Sequence, residues 1–338
     1  MALPEEIPHF RIYSINFRGL VDTKRRNDKL AWLQTEAKGI QNLGVVLIQE
    51  THFKSTWEAN QALRRLGGKI LGISCARNNS KGVCCWVPRN SPIYNMVEDV
   101  SRSNRGRWSI IRIVTGIQHL HIVNIYAPAD SKEAREEFFS TVMYKFEDYT
   151  NMILGGDWNF CTDSMDIVKA DGRVAEPEDQ PSGIDLLAHL ELDDLFRFYH
   201  PDVIQITFEH SNKTHEARLD RFYVQSHLLD RTEPTSTIHA GSLSDHHMVG
   251  MAFGRIEPRI QPEEPFYRMS RHLIKQLANK ESKIYRHTTE YLVDAKKQIL
   301  ELRGKGRALA AHEVWEDTKT SIVRYYKEED DRLRKQRW

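Results

Sequence analysis

Up to about Gly254, short apolar runs alternate with amphipathic stretches, and beyond it the pattern changes character. The runs FRIYSIN, GVVLIQE, GVCCWV, WSIIRIV, HLHIVNIYAP, NMILGGD, RLDRFYV and HMVGMAF read as strands, several with period-two alternation. Between them, residues 25–40 place Leu30, Leu33, Ala37 and Ile40 at helical spacing. Residues 133–147 do the same with Ala134, Phe138, Val142 and Phe146. WSIIRIV and HLHIVNIY are separated only by a short turn at Gly116, too short for a crossover helix, so this pair is expected to be an antiparallel hairpin. The pattern predicts a mixed α/β domain over residues 1–254.

After Gly254, RIEPRIQPEEPF is rich in proline and charge, as a linker is. Ile284, Thr288, Tyr291, Ala295, Ile299 and Leu302 then fall at helical spacing, RGKGR interrupts, and a second run carries Trp315, Ile322 and Tyr326. Residues 255–338 are therefore expected to be a linker and a charged helical extension. An end at Trp338, in mid-helix and without a cap, suggests a piece of something longer.

Composition narrows the class. A chain of 338 residues with 40% hydrophobic content can build one large core or two modest ones. No run approaches the roughly 18 apolar residues of a membrane span, and MALPEEIPHF lacks the basic start and apolar stretch of a secretory signal, so an intracellular protein is expected. Cys75, Cys84, Cys85 and Cys161 form no C-x-x-C pair and no Cys/His zinc pattern, and Cys84 and Cys85 read as small core residues. The net charge of +1 hides an asymmetry. From Ile256 onward there are 19 Lys/Arg against 14 Asp/Glu, while the remainder carries 29 against 33. A carboxylate-rich front with a basic tail fits a metal-dependent site joined to a polyanion-binding extension, and equally an acidic domain with a solvated helix.

The candidate chemistry lies at the strand ends. In NMILGGDWNF, an apolar strand runs into Gly155 and Gly156 and then presents Asp157 and Asn159, which in extended geometry point the same way. Asn16, Glu50 and Tyr126 end other runs, Asp220 lies within RLDRFYV, and Ser244, Asp245 and His246 precede the last strand. Each alone has a bland reading: a polar turn, a strand-end acid, a rim tyrosine, a satisfied loop histidine. As a set outside strand carboxyl ends they suit a metal or phosphate site. His247 would face the other way and reads as structural.

INFRGL, LIQETH, NIYAP, GGDWN, RLDRFYV and SDHH, in this order, resemble the metal-dependent endonuclease/exonuclease/phosphatase superfamily, which includes abasic-site repair endonucleases and deoxyribonuclease I. QETH, ITF before RLDRFYV, and the tail segments PFYRMSRHLIKQ and VWEDTKTSIVRYY are similar to the endonuclease domain of LINE-type non-LTR retrotransposons and to its link toward the reverse transcriptase. The resemblance implies two mixed β-sheets packed face to face and flanked by helices, a four-layer α/β sandwich, followed by a C-terminal helical extension. It implies a Mg²⁺-dependent endonuclease, with Mn²⁺ as a substitute, that nicks double-stranded DNA and leaves a 3′-hydroxyl to prime reverse transcription. Glu50, Asp245 and Asn16 would form the metal shell. Asp157 with Asn159 would orient and deprotonate water, His246 paired with Asp220 would contact the scissile phosphate, and Tyr126 would hydrogen-bond it. Arg18, Arg105, Arg107 and Ser244 would contact nucleic acid, and the residue 209–217 hairpin tip would reach the groove. The reverse transcriptase on the same chain, element RNA on the extension and work in the nucleus are the further expectations. One departure stands out. Relatives that repair DNA commonly have an acid where NFRG has Arg18, which removes a metal-shell carboxylate and adds a cation. An abasic-site repair endonuclease, a lipid or inositol phosphatase, and a catalytically silent nucleic-acid-binding module are the competing readings.

Overall fold

All eight apolar runs become strands, and they divide between two sheets. The computed structural model describes residues 7–76, 80–115, 118–210, 215–254, 277 and 279–304, and, toward the end, 314, 317–318, 321–329 and 332. In chain order the first elements are β1 (Phe10–Asn16), α1 (Thr23–Gly39), β2 (Leu43–Gln49), α2 (Thr56–Leu63), β3 (Lys69–Ser74) and β4 (Val83–Val87). Next come β5 (Val97–Arg102), β6 (Trp108–Thr115), β7 (Gln118–Tyr126), α3 (Lys132–Phe146) and β8 (Met152–Asp157). Then follow β9 (Ile167–Lys169), α4 (Pro181–His189), β10 (Leu192–Asp194), α5 (Leu195–Tyr199), β11 (Phe208–Glu209), β12 (His215–Ala217) and β13 (Asp220–Gln225). The last are β14 (Thr232–Pro234), β15 (Val249–Phe253) and α6 (Lys283–Gly304).

One sheet has the order β14-β15-β1-β2-β4-β3 and the other β10-β13-β8-β7-β6-β5. Each has one parallel pair, β1 with β2 and β7 with β8, and every other pairing is antiparallel. The parallel pairs are joined by the crossover helices α1 and α3, as a parallel return requires. Asp22 starts α1 by accepting from the backbone nitrogens of Lys24 and Arg25, and Ser131 does the same for α3 at Ala134. The hairpin expected at β6 and β7 forms, pairing from Trp108 opposite Ile125 to Thr115 opposite Gln118, while Gly116 itself lies outside the described residues. A small third sheet, β11-β12-β9, carries the hairpin expected near residues 209–217, whose tip at 211–214 is likewise outside them.

The sheets pack face to face through Ile12, Val45, Leu47, Ile111, Ile122 and Ile153, all with 0% exposure. Burying a side chain of this kind is worth about 1.5–3 kcal/mol. On the outer face of the first sheet, Leu30 and Leu33 of α1 pack with Ala59 and Leu63 of α2. On the outer face of the second, α3 and α4 pack over Val123 and Leu154. This is the four-layer sandwich expected. The buried face of α3 differs from the sequence reading at its start: Arg135 and Phe139 point inward rather than Ala134 and Phe138. The reason is polar as well as apolar. Arg135 donates to Gln180 Oε1 (2.7 Å) and pairs with Glu178, while Phe139 lies between Trp158 and Phe160.

The chain divides into two compact units, Met1–Glu257 and Pro258–Trp338. In the second, α6 buries Ile284 and Ala295 of the expected face but leaves Tyr291 exposed. His287 of α6 sits 4.4 Å from the Tyr325 ring, and residues 321–329 are helical. The linker at 255–276 and Trp315 lie outside the described residues. Among the described residues no helix is long and apolar enough to cross a membrane.

Candidate active site

The carboxyl ends of the two parallel pairs meet. Asn16 ends β1 and Glu50 follows β2. The fully buried Asn16 amide donates to Glu50 Oε1 and to Asp157 Oδ2, both at 2.9 Å, so one NH₂ group ties the end of one sheet to the end of the other. Its Oδ1 accepts from the Arg18 backbone nitrogen at 2.9 Å. Burial would raise the Glu50 carboxyl, but donation from His52 Nε2 (3.1 Å) and Asn16, with the charge of His246, holds it below its ordinary range. Arg18, Glu50, His52 and Asn159 all have positive φ, a clustering of backbone strain around one site.

The two glycines of GGDWN allow the strand to arrive there. A Cβ on Gly156 (φ +146°) would stand 1.9 Å from the Ile125 carbonyl oxygen of the neighbouring strand, and one on Gly155 would strike the Phe222 ring at 2.3 Å. Asp157 is thereby set opposite Tyr126 on one side and Asp220 on the other. Trp158 points the other way, into the aromatic cluster of Phe139 and Tyr223. Asn159 reaches the site by a tight turn rather than by strand alternation: its backbone nitrogen donates to Asp157 Oδ1 (3.0 Å) and its Nδ2 to the Ala127 carbonyl (3.0 Å).

His246 completes the centre. Its Nδ1 lies 2.8 Å from Asp220 Oδ2 and its Nε2 3.9 Å from Asp157 Oδ2, and all three groups are buried. Burial by itself would lower the imidazole, yet the charge and hydrogen bond of Asp220, with Asp157 and Asp245 nearby, outweigh it and push it up. Asp157 moves up too, first through burial and then through Asp220 and Glu50, against the pull of His246 and Asn16. Tyr126 is raised by burial and by the same two acids, Glu50 and Asp157. Thr207 accepts from the backbone nitrogens of Leu219 (3.0 Å) and Asp220 (2.9 Å) and fixes the start of β13.

Asp245 and Ser244 enter from the segment before β15. The Ser244 hydroxyl donates to the Asn16 carbonyl (2.6 Å) and accepts from the His246 backbone nitrogen (3.1 Å), which holds the segment before β15 against β1. Arg18 forms an ion pair with Asp245. Arg105 is exposed, as a loop cation should be, but Arg107 is 7% exposed. Its guanidinium lies 4.8 Å from the Tyr126 ring and donates to the Ala127 carbonyl (3.1 Å), which makes it the tyrosine's support rather than part of the loop surface.

The donor set fits a hard cation. Asp220 Oδ1 and Asp245 Oδ1 are buried without a hydrogen-bond partner among the described residues, and donor atoms of Asp157, Asp220 and His246 lie within 4.8 Å of one another. Carboxylate oxygens left unpartnered beside Glu50 are the kind of donors Mg²⁺ takes.

Sequence reasoning missed the supports. Gln49 donates to Asn124 Oδ1 (2.7 Å) across the two sheets, directly beneath the site. Lys29 is buried and donates to the carbonyls of Phe17 (2.5 Å) and Gly19 (3.1 Å), bracing the loop that carries Arg18. A signal existed for the first pair, since Gln49 and Asn124 interrupt otherwise apolar strands.

The α/β sandwich has the fold of the AP endonucleases. The solved AP endonuclease LMAP from Leishmania major is 16% identical with a TM-score of 0.58, the match covering 73% of this chain and 88% of that one. An AP endonuclease from Archaeoglobus fulgidus is 18% identical with a TM-score of 0.56, over 72% and 99%. By sequence, the transposon TX1 uncharacterized 149 kDa protein of Xenopus laevis is 28% identical over 177 residues, 50% of this chain and only 13% of that protein's length. No protein-family model matches. The resemblance drawn from the motifs is thus borne out, in fold by the endonucleases and in kinship by a transposon protein.

Proposed function

We propose that the chain is a Mg²⁺-dependent DNA endonuclease of a LINE-type element, which nicks duplex DNA and leaves the 3′-hydroxyl that primes reverse transcription. The observation that carries the reading is the meeting of Asn16, Glu50, Asp157, Asp220 and His246 at the ends of two parallel strand pairs. Phosphodiester hydrolysis needs an activated water and stabilised charge on the phosphorane-like transition state. Asp157, raised toward neutrality and aligned by Asn16 and the Asn159 turn, is the base that takes the water's proton. His246, held charged by Asp220, and the Tyr126 hydroxyl face the phosphate. Glu50 and Asp245, with Asn16 in support, would hold Mg²⁺, which when bound supplies Lewis-acid stabilisation of the phosphate oxygens. Arg18 would pass from Asp245 to a DNA phosphate as the cation enters.

Two open grooves flank this centre. One of about 590 Å³ is lined by Arg18, Arg25 and Lys29 with the acids Asp245 and Glu209, and one of about 770 Å³ by Lys81, Arg102, Arg105 and Lys145 with Asp130 and Glu137. Exposed arginines along both grooves suit contact with a phosphate backbone. On this reading the protein works in the nucleus, with a reverse transcriptase on the longer protein and its RNA as later partners. The deciding experiment is relaxation of supercoiled plasmid with Mg²⁺, with EDTA and with Asp157→Asn. Nicking by the parent with metal alone supports the proposal; nicking undiminished in the variant rejects the mechanism. Cleavage confined to a duplex with an abasic site would make it a repair endonuclease instead.

A further inference from the structure

Three donors outside the catalytic centre converge from separate segments. Glu209 ends β11, His247 stands just before β15, and His239 lies in the turn that leads toward it. His247 Nε2 is 3.1 Å from Glu209 Oε1, and the His239 and His247 rings are 4.0 Å apart. One donor atom from each residue falls within a 4.8 Å set. We propose that Glu209, His239 and His247 form a second cation site, for a zinc-like transition metal, distinct from the catalytic acids. The proposal goes beyond the nuclease reading and would hold for a protein that cut no DNA.

Chemistry selects the ion. Two imidazoles and one carboxylate are a ligand set for Zn²⁺ and its neighbours, whereas Mg²⁺ prefers oxygen alone. Donors each about 2.0–2.2 Å from a tetrahedral ion stand roughly 3.3–3.6 Å apart, close to the spacing already present between His247 and Glu209. Glu209 and His239 are exposed while His247 is 5% exposed, so the cluster opens to solvent on one side, leaving room for a water as fourth ligand. His247 Nε2, the nitrogen that faces Glu209, would exchange its hydrogen bond there for the ion.

The backbone prepares this arrangement. Ile238 and Met248 exchange hydrogen bonds at 2.8 Å in both directions, His247 donates to the Thr207 carbonyl (2.8 Å) and Glu209 to the Asp245 carbonyl (2.9 Å). Adjacent residues then serve opposite faces, with His246 turned to the catalytic cluster and His247 to this one. Phe208, next to Glu209, lies 4.9 Å from the His246 ring. An ion here would clamp β11 onto the segment that presents Asp245 and His246.

The test uses the full chain, stripped with EDTA, dialysed and titrated with Co²⁺ in excess Mg²⁺ while the visible d–d band of low-coordinate cobalt is followed. The expected result is a single tight equivalent displaced by Zn²⁺. His239→Ala and Glu209→Gln, both changes at exposed positions, should weaken it by roughly 100-fold or more. Asp220→Asn should leave the band in place. Absence of a band in the parent, or a band kept by His239→Ala and lost in Asp220→Asn, would overturn the proposal, the former reducing the cluster to a histidine–glutamate hydrogen bond.

Discussion

His246 is held as a cation by what surrounds it, and this has a consequence for stability that can be measured. Its imidazole is pushed up to about 10 from an ordinary 6.5, so the folded protein keeps a proton that the unfolded chain releases. The stabilisation is complete below about pH 6.5 and is lost as pH rises toward 10. His246→Gln should flatten the fall in urea midpoint across that window, and a slope equal to the parent's would show that the histidine is not held charged. Asp157→Asn is expected to lower nicking by about 10²–10⁴-fold, the range for a general base, while keeping the fold. Circular dichroism with plasmid relaxation checks both halves. At this scale the sequence disclosed the residues that end strands, since their positions follow from apolar periodicity. It did not disclose His52 or Lys29, whose partners come from the tertiary fold, nor that Arg107 turns inward beneath Tyr126.

Among the elements, β8 has no room for a side chain at either of its glycines. Gly156→Ala places a methyl group against the Ile125 carbonyl at a φ that L side chains rarely adopt, and should reduce Tm and activity together. Gly39→Ala, where nothing lies within 4 Å, is the control expected to lower neither. A second test concerns the buried ion network behind β13. Asp166 accepts from Arg197 (2.6 Å), Arg218 (2.8 Å) and Arg221 (3.1 Å), and its carboxyl is held down at about 2: burial opposes, but the guanidinium charges prevail. Asp166→Asn should destabilise by about 3–5 kcal/mol in urea unfolding, because it strands buried charge. Asp171→Asn, which breaks an exposed pair with Arg173, should leave the midpoint unchanged. Interior strands were legible because both faces are apolar. The edge strands β3 and β5 were not: KILGIS and VEDVSR are only partly buried, and their registers break at bulges, which blurs the alternation. The same applies to β9, β10 and β14, whose three residues carry no period, whereas the β11-β12 hairpin was legible from its turn.

For the whole molecule, the proposed DNA-binding surface predicts a salt dependence. Arg18→Ala with Arg105→Ala should lessen the slope of log K against log salt by about 0.9 for each phosphate that is no longer neutralised, read by fluorescence anisotropy with duplex DNA. An unchanged slope would place the duplex elsewhere. The mixed sandwich was legible in the alternation of strands and helices together with the motif order, but the order of strands within each sheet was not, because it depends on which distant segments pair.

That order decides which part of the chain completes the proposed site last. The chain lays down β1 to β4 of one sheet, builds the whole of the other through β13, and only then returns to the first sheet with β14 and β15. Strand β15 pairs with β1 across nearly the full length of the first unit, and Asp245 and His246 arrive with it. Residues 10 to 225, which leave the ribosome first, hold Asn16, Glu50, Asp157 and Asp220 but neither Asp245 nor His246. On the proposed reading, the closing of this last long-range strand pair is also what would complete the site, and long-range pairing of this kind is intrinsically slow.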